Sequence, residues 1–444
     1  MVNSKRYGAG ISRRLFNKGM VALGGAAVLP GLGSVAFAAD GKLIFWDYKY
    51  PPESEGHKYF VAAAERFKAQ SGIEVGVDFK SAEVIEQAVA ATANAGSGLD
   101  SMVWWSGPTV RNQASLGNVI ALDGKVPEDV LAAKAGMDAM RYNGKIYAVP
   151  RTIGTYFLVY NKKLLADIGV DTSVFPEPDK EPVAWDAFIK VCDQIKATGK
   201  TAPLMFANKE GYFNEWYFYN LILQGFDSSD EIAEIGAGKS TWKQEPIYKA
   251  LAAYKQLYES KYFVEGGEVV AYEQHVRQMG SGQCAMSVYF DQTGGATAAI
   301  AEAYGAQAVG LTRVPSHRND KKLYGHSSLE PDAVYVTSFA SNQEDAVKWV
   351  NFLVSLPEVN EMVKALQLAP ADTRFDTSLV KDPQLAKLYK GAAEKGSVYP
   401  LTLVTQAQYN ALLQNGILYL SGRMTAEELC ASFDAADKEY LSQQ

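Results

Sequence analysis

Trp104 and Trp105 stand side by side in "SMVWW", and three further groups of rings stand beside carboxylates or amides. Trp46 and Tyr48 flank Asp47 in "GKLIFWDY". "EGYFNEWYFYN" sets Tyr212, Phe213, Trp216, Tyr217, Phe218 and Tyr219 next to Glu210 and Glu215. Tyr289 and Phe290 precede Asp291 and Gln292. Ring faces pack on the C–H faces of sugars while carboxylates and amides hydrogen-bond hydroxyls, so this pairing suits a carbohydrate. The competing reading is core packing. Of two neighbouring strand residues one normally points inward, which leaves open whether Trp104 or Trp105 faces a ligand and assigns half of the Trp216 to Tyr219 run to the core.

Other chemistry finds little support. "GHSSL" at Gly325 lacks the closing glycine of a nucleophile elbow. There is no Walker loop and no H-E-x-x-H, and His57, His275, His317 and His326 are far apart, so each reads as a surface histidine rather than a ligand. No metal or cofactor is expected. Abundant carboxylates leave a glycosidase-like pair open.

These groups must be positioned by a chain of 444 residues, too long for one hydrophobic core, so two domains are the default. Hydrophobic content of 48% with 21% charged residues marks an ordinary globular protein. "SRRLFNK" precedes a weakly apolar, glycine-rich run that ends in Ala36-Phe37-Ala38. Residues 1–38 thus read as a twin-arginine export leader cleaved after Ala38 and not as a membrane span, with the periplasm as destination. They hold five basic residues (Lys5, Arg6, Arg13, Arg14, Lys18) and no acidic one. The remainder has 38 Lys and Arg against 50 Asp and Glu, a net charge of −12. Such a surface disfavours nucleic acid and anionic membrane faces. Cys192, Cys284 and Cys430 are odd in number; Cys192 and Cys430 sit on apolar helix faces, so buried free thiols are expected.

Strands and helices alternate from residue 42 onward. "GKLIFWDY", "IEVGVDF" and "SMVWW" read as strands, separated by a helix with Phe60, Ala63, Ala64 and Phe67 on one face and another with Ile85, Ala88, Val89 and Thr92. That pattern predicts βαβ units and a largely parallel sheet. Further helices are predicted for "AWDAFIKVCDQIKATG", for "EPIYKALAAYKQLYES" with Pro246 in its first turn, for "SNQEDAVKWVNFLVSL" capped by Asn342, and for the C-terminus, where Thr425 and Glu428 form a capping box. "GQCAMSVYFD" and "DAVYVTSF" read as strands. The late return of an α/β unit implies two α/β lobes joined by more than one crossover.

"GKIYAVPRTIGTYFLVYNKKLLADIGV", "AWDAFIKVCDQIKATG", "GQCAMSVYFD", "SNQEDAVKWVNFLVSLPEV", "LAPADT" and "SGRMTAEEL" occur in the order found in family-one extracellular solute-binding proteins of the maltodextrin-binding type, and the chain resembles that family over essentially its whole length after residue 38. The resemblance implies a two-lobed periplasmic-binding-protein fold, each lobe a mainly parallel sheet flanked by helices. Residues 39–150 plus 316–368 would form one lobe and 151–310 plus 372–444 the other, with hinges near 150–152, 311–315 and 368–372. It implies a monomeric, non-enzymatic receptor that captures a sugar between closing lobes and delivers it to the transmembrane subunits of an ABC importer. By position it suggests Asp47, Tyr48, Trp105, Glu210, Tyr212, Trp216 and Tyr409 as ligand-binding, with Trp104, Tyr289, Asp291, Gln292 and Glu330 as further candidates. Asp291-Gln292 stands where the family usually has Gly-Pro-Trp. Arg151, at the first hinge, either reads an acidic sugar or pairs with Glu210, Glu330 or another lobe carboxylate. An exported carbohydrate-active enzyme, or the same receptor taking a polyol or polyamine, are the alternatives.

Overall fold

The fold is that of a computed structural model, which describes residues 41–81, 84–290, 295–318, 320 and 328–442. The leader, Asp291 and Gln292 lie outside these residues, as does the side chain of Glu330. The chain opens with β1 (Leu43–Asp47), α1 (Glu55–Ser71), β2 (Val75–Phe79), α2 (Ile85–Ala95), β3 (Ser101–Trp105) and α3 (Pro108–Ser115). β1 pairs in parallel with both β2 and β3. α1 forms for local reasons. Ser54 accepts the His57 N–H at its start, Tyr59, Phe60, Ala63, Ala64 and Phe67 are buried on one face, and Gly72 ends it at φ 74°.

The middle of the chain contributes β4 (Val149–Gly154), β5 (Tyr156–Asn161), α4 (Trp185–Ala197), β6 (Ala202–Leu204), α5 (Tyr212–Leu223), β7 (Cys284–Phe290), β8 (Val309–Thr312) and β9 (Ser328–Val336). There follow α6 (Gln343–Leu353), α7 (Leu356–Leu366), α8 (Pro383–Lys395), β10 (Ser397–Val398), α9 (Gln406–Leu420) and α10 (Ala426–Leu441). Two larger sheets result, one per lobe. The first runs β10-β9-β3-β1-β2 with β4 also on β9, and the second runs β8-β5-β7-β6.

Both sheets are mixed rather than uniformly parallel. β6–β7 and β9–β10 pair in parallel, but β9 runs antiparallel to β3 and β4, and β5 antiparallel to β7 and β8. The antiparallel pairs all involve strands next to a lobe change, where the chain enters a sheet from the opposite lobe. The first change falls at Thr155, between β4 and β5. Pro150 to Thr152, expected at this crossing, lie inside β4. The pairing shifts register between Asp332 and Ala333, opposite Thr152 and Pro150, and a bulge of this kind tolerates a proline that has no N–H to donate. The second change lies between β8 and β9. Near the third, Ile153 donates to Ala369 O (2.9 Å) and Ala371 to Arg151 O (3.0 Å), so residues 369–371 run beside β4 in the first lobe.

Candidate functional site

β3 ends at the lobe boundary, its first four residues buried and its last exposed, so Trp104 points into the core, 2% exposed, and Trp105 points out, 37% exposed. The alternation of a strand decides between them. Trp105 stands edge-on to Tyr48, 5.2 Å between centroids. Tyr48 donates to Asp332 Oδ1 (2.5 Å), and Asp332 Oδ2 also accepts Lys49 Nζ (2.8 Å) and Thr152 Oγ1 (3.2 Å). This network fixes the ring that braces Trp105. Asp47 turns inward: it is fully buried and accepts the N–H groups of Lys49 (3.2 Å) and Tyr50 (2.7 Å). Burial pushes its carboxyl up to about 6, against those two hydrogen bonds and the charge of Arg151.

The opposite wall comes from the second lobe. Asn208 Oδ1 accepts the N–H of Phe213 (3.0 Å) and Asn214 (3.3 Å), which starts α5. Gly211 precedes it at φ 89°, where a Cβ would lie 2.4 Å from Leu413 O of α9. α5 is buried all round from Phe213 to Leu223, with Asn214, Glu215 and Asn220 set among its rings and aliphatic side chains, as befits a helix crossing a core. The run expected to be half core is therefore almost wholly core. Its first turn, however, opens at the lobe boundary. Tyr212 and Tyr409 line a cavity of about 470 Å³ whose other side is Trp105, Ser106, Pro108 and Thr109 of the first lobe. Tyr212 and Tyr409 also line a second cavity of about 640 Å³ with Glu210, Glu215, Trp216 and Phe290. The two cavities share Tyr212, Leu401 and Tyr409 as a common wall and together make up the trough. Beside it Arg111 donates to Thr402 O (3.2 Å), and Gly107, at φ 59°, allows the close approach because a Cβ there would lie 2.4 Å from Thr402 O.

The structure brings Tyr48, Trp105, Glu210, Tyr212, Trp216 and Tyr409 to this trough or its brace. Glu210 is exposed at the rim and accepts the Tyr272 N–H (2.9 Å). Four expected residues stand elsewhere. Trp104 and Asp47 are inside the first lobe. Tyr289 is fully buried and bonded to His275 Nε2 (3.1 Å) and Ala296 N (3.1 Å), while its neighbour Phe290 lines the trough, again by strand alternation. His275 is thereby a core histidine and not a surface one.

Arg151 is the fourth. It does not face the cleft: it is fully buried in the first lobe, with Nη1 2.9 Å from Met362 Sδ and its guanidinium 4.7 Å from the Phe60 ring centroid. Among the described residues no carboxylate lies within ion-pair distance of it, and the side chain of Glu330, one of its expected partners, lies outside them.

Glu215, noted in the sequence beside the rings but not singled out as a site residue, is the most deeply set charge of the trough. Tyr156 (3.2 Å) and Tyr399 (3.0 Å) donate to its Oε1, and Tyr409 (2.9 Å) to its Oε2. Burial pushes it from 4.5 up to about 7, against the pull of Tyr409, Tyr399 and Tyr156. Helical spacing could have found it, because Tyr212, Glu215, Trp216 and Tyr219 recur at intervals of three and four. No group of three or more metal-ligating side chains, and no helix long and apolar enough to cross a membrane, occurs among the described residues.

Comparison with known proteins matches residues 62–387 to the model of a family described as bacterial extracellular solute-binding protein. A maltotriose-binding protein of Pyrococcus abyssi is 28% identical over 137 residues, 30% of this chain and 28% of that protein. A multiple sugar-binding protein of Streptococcus mutans is 32% identical over 83 residues, 18% of this chain and 17% of that one. The chain thus spans about a quarter or less of these curated relatives. Among solved structures, the GacH receptor of Streptomyces glaucescens, studied unliganded and with acarbose, superposes with a TM-score of 0.69 at 21% identity, covering 91% of this chain and 99% of that one. A chitin oligosaccharide binding protein gives 0.71 at 17% identity over 90% and 99%. At these identities the likeness is one of fold.

Proposed function

The chain belongs to the bacterial extracellular solute-binding proteins, and from that premise we propose that it captures a carbohydrate between its lobes and passes it to the membrane permease of an ABC importer. The observation that carries this reading is the trough itself, with Trp105 on one wall and Tyr212, Trp216 and Tyr409 on the other. Rings on both walls can sandwich the C–H faces of a sugar, and Glu210, Asn410 and Gln406 at the same surface can take its hydroxyls. The curated relatives named above are sugar-binding proteins, which supports the same ligand class.

Binding would proceed by closure. A ligand drives closure only by as much as it prefers the closed form. Moving from 1:99 to 99:1 takes about 5.5 kcal/mol of differential affinity. The sequence pattern of residues 1–38, read as a twin-arginine leader, supports export to the periplasm, and a monomeric receptor is part of the same proposal. The acidic-sugar refinement loses its basis, since Arg151 lies inside the first lobe and Glu210 and Glu215 face the trough instead.

Thermal denaturation of the protein against a panel of neutral oligosaccharides tests the reading. A true ligand at a hundredfold excess over Kd stabilises by about 2.7 kcal/mol, enough to raise the melting temperature measurably. An unchanged melting temperature with every sugar, against a shift with polyols, would overturn the carbohydrate assignment.

A further inference from the structure

Glu215 is 4% exposed and receives three tyrosine hydroxyls from three separate segments of the second lobe. Among the described residues no Lys or Arg lies within ion-pair distance of it. Two donors occupy Oε1 and one occupies Oε2, so Oε2 keeps a lone-pair direction for another donor. A buried carboxylate without a cation is costly, and burial here holds it close to neutrality. What surrounds it is a set of ring faces. Tyr156 and Phe290 stand 4.8 Å apart, Trp216 meets Tyr272 edge-on at 5.7 Å, and all four line the cavity of about 640 Å³ together with Tyr409. Ring faces and a carboxylate together attract a cation, and the attraction grows as water is excluded. The other charges at this cavity are Glu210 and Lys209, which offset one another and leave Glu215 uncompensated.

Resting on the carbohydrate reading, we propose that the Glu215 pocket selects sugars bearing a free, protonated amino group, so that the ligand supplies the missing cation. The amine would sit against Trp216 and Tyr156 and donate to Oε2, with the remaining ring held by the aromatic walls toward Trp105. A neutral sugar makes the ring contacts and leaves the carboxylate uncompensated. An anionic one meets two carboxylates.

The test is titration calorimetry at pH 6.5 with three trisaccharides of the same linkage, differing only at C2: hydroxyl, N-acetyl and free amine. The native protein is expected to bind the amine form at least tenfold more tightly than the other two. Glu215→Gln should bring all three to within about twofold of each other. Tyr399→Phe, which removes one hydrogen bond to Oε1 from outside the cavity lining and keeps the carboxyl group, should retain the preference, and its folding is checked by its melting temperature. Equal binding of the three sugars by the native protein, or an amine preference that survives Glu215→Gln, overturns the inference and leaves the carbohydrate reading standing. Binding of spermidine with none of the sugars overturns the carbohydrate reading, and this inference with it.

Discussion

At the scale of single residues, Glu215 couples stability to pH. Its folded value of about 7 lies above the ordinary 4.5, so the native state holds the proton more tightly than the unfolded chain does. Its contribution is therefore complete below about pH 4.5 and is lost as pH rises through 7, amounting to about 3 kcal/mol for a group buried this fully. The groups facing it are the hydroxyls of Tyr156, Tyr399 and Tyr409, with Tyr219 and Tyr272 nearby. Lys209 and Glu210 share its cavity, and His275 lies behind Trp216. Asp47, raised to about 6, acts in the same direction. Urea denaturation at pH 5 and pH 8 should show the native protein less stable at pH 8, and Glu215→Gln should remove most of that loss. An unchanged pH dependence in the variant would contradict the assignment. The residue scale was only half legible from sequence. Ring-rich strand ends were visible, but Trp104 against Trp105 and Tyr289 against Phe290 are decided by strand phase, which a sequence shows only once the sheet's buried face is known. Arg151 misled for a related reason: its neighbours Phe60 and Met362 come from α1 and α7, distant in the chain.

At the scale of elements, the return segment after α7 is tied firmly into the first lobe. Ala135 donates to Ala371 O (2.8 Å) and Thr373 to Ala133 O (2.9 Å), and between them Lys134 Nζ meets Asp372 Oδ2 (3.0 Å) with both side chains fully buried. Lys134 has Val354 O as its other acceptor (2.7 Å). Asp372→Ala would leave that ammonium buried without its carboxylate, at a cost of about 3–5 kcal/mol. A denaturant midpoint shifted accordingly, with sugar binding retained, is the expected result; a change under 1 kcal/mol would show that water reaches the lysine. Elements were the best-read level of this chain. The cap at Asn342 and the capping box at Thr425 and Glu428 stand where the sequence placed them, because each depends on a few adjacent residues. The strand change at Thr155 was misplaced by a few residues, since Pro150 reads as a break and only the partner strand β9 shows that a bulge accommodates it.

At the scale of the whole molecule, family membership and the two-sheet architecture support the proposed closure around a ligand. The two lobes were legible because strand–helix alternation stops, restarts and returns along the chain. The antiparallel crossover strands were not, since direction within a sheet depends on which lobe the chain has just left. Trp105 offers the most direct probe, being the largest exposed ring on the first-lobe wall. Its truncation should leave folding stability within about 1 kcal/mol of the native protein. The decisive measurement is titration calorimetry of native protein and Trp105→Ala with the neutral oligosaccharide that most raises the melting temperature. The account predicts saturable binding of one sugar per chain, weakened about tenfold by the substitution through lost stacking and burial. Native protein that binds no sugar, or a Trp105→Ala variant that binds it with undiminished affinity, would contradict it.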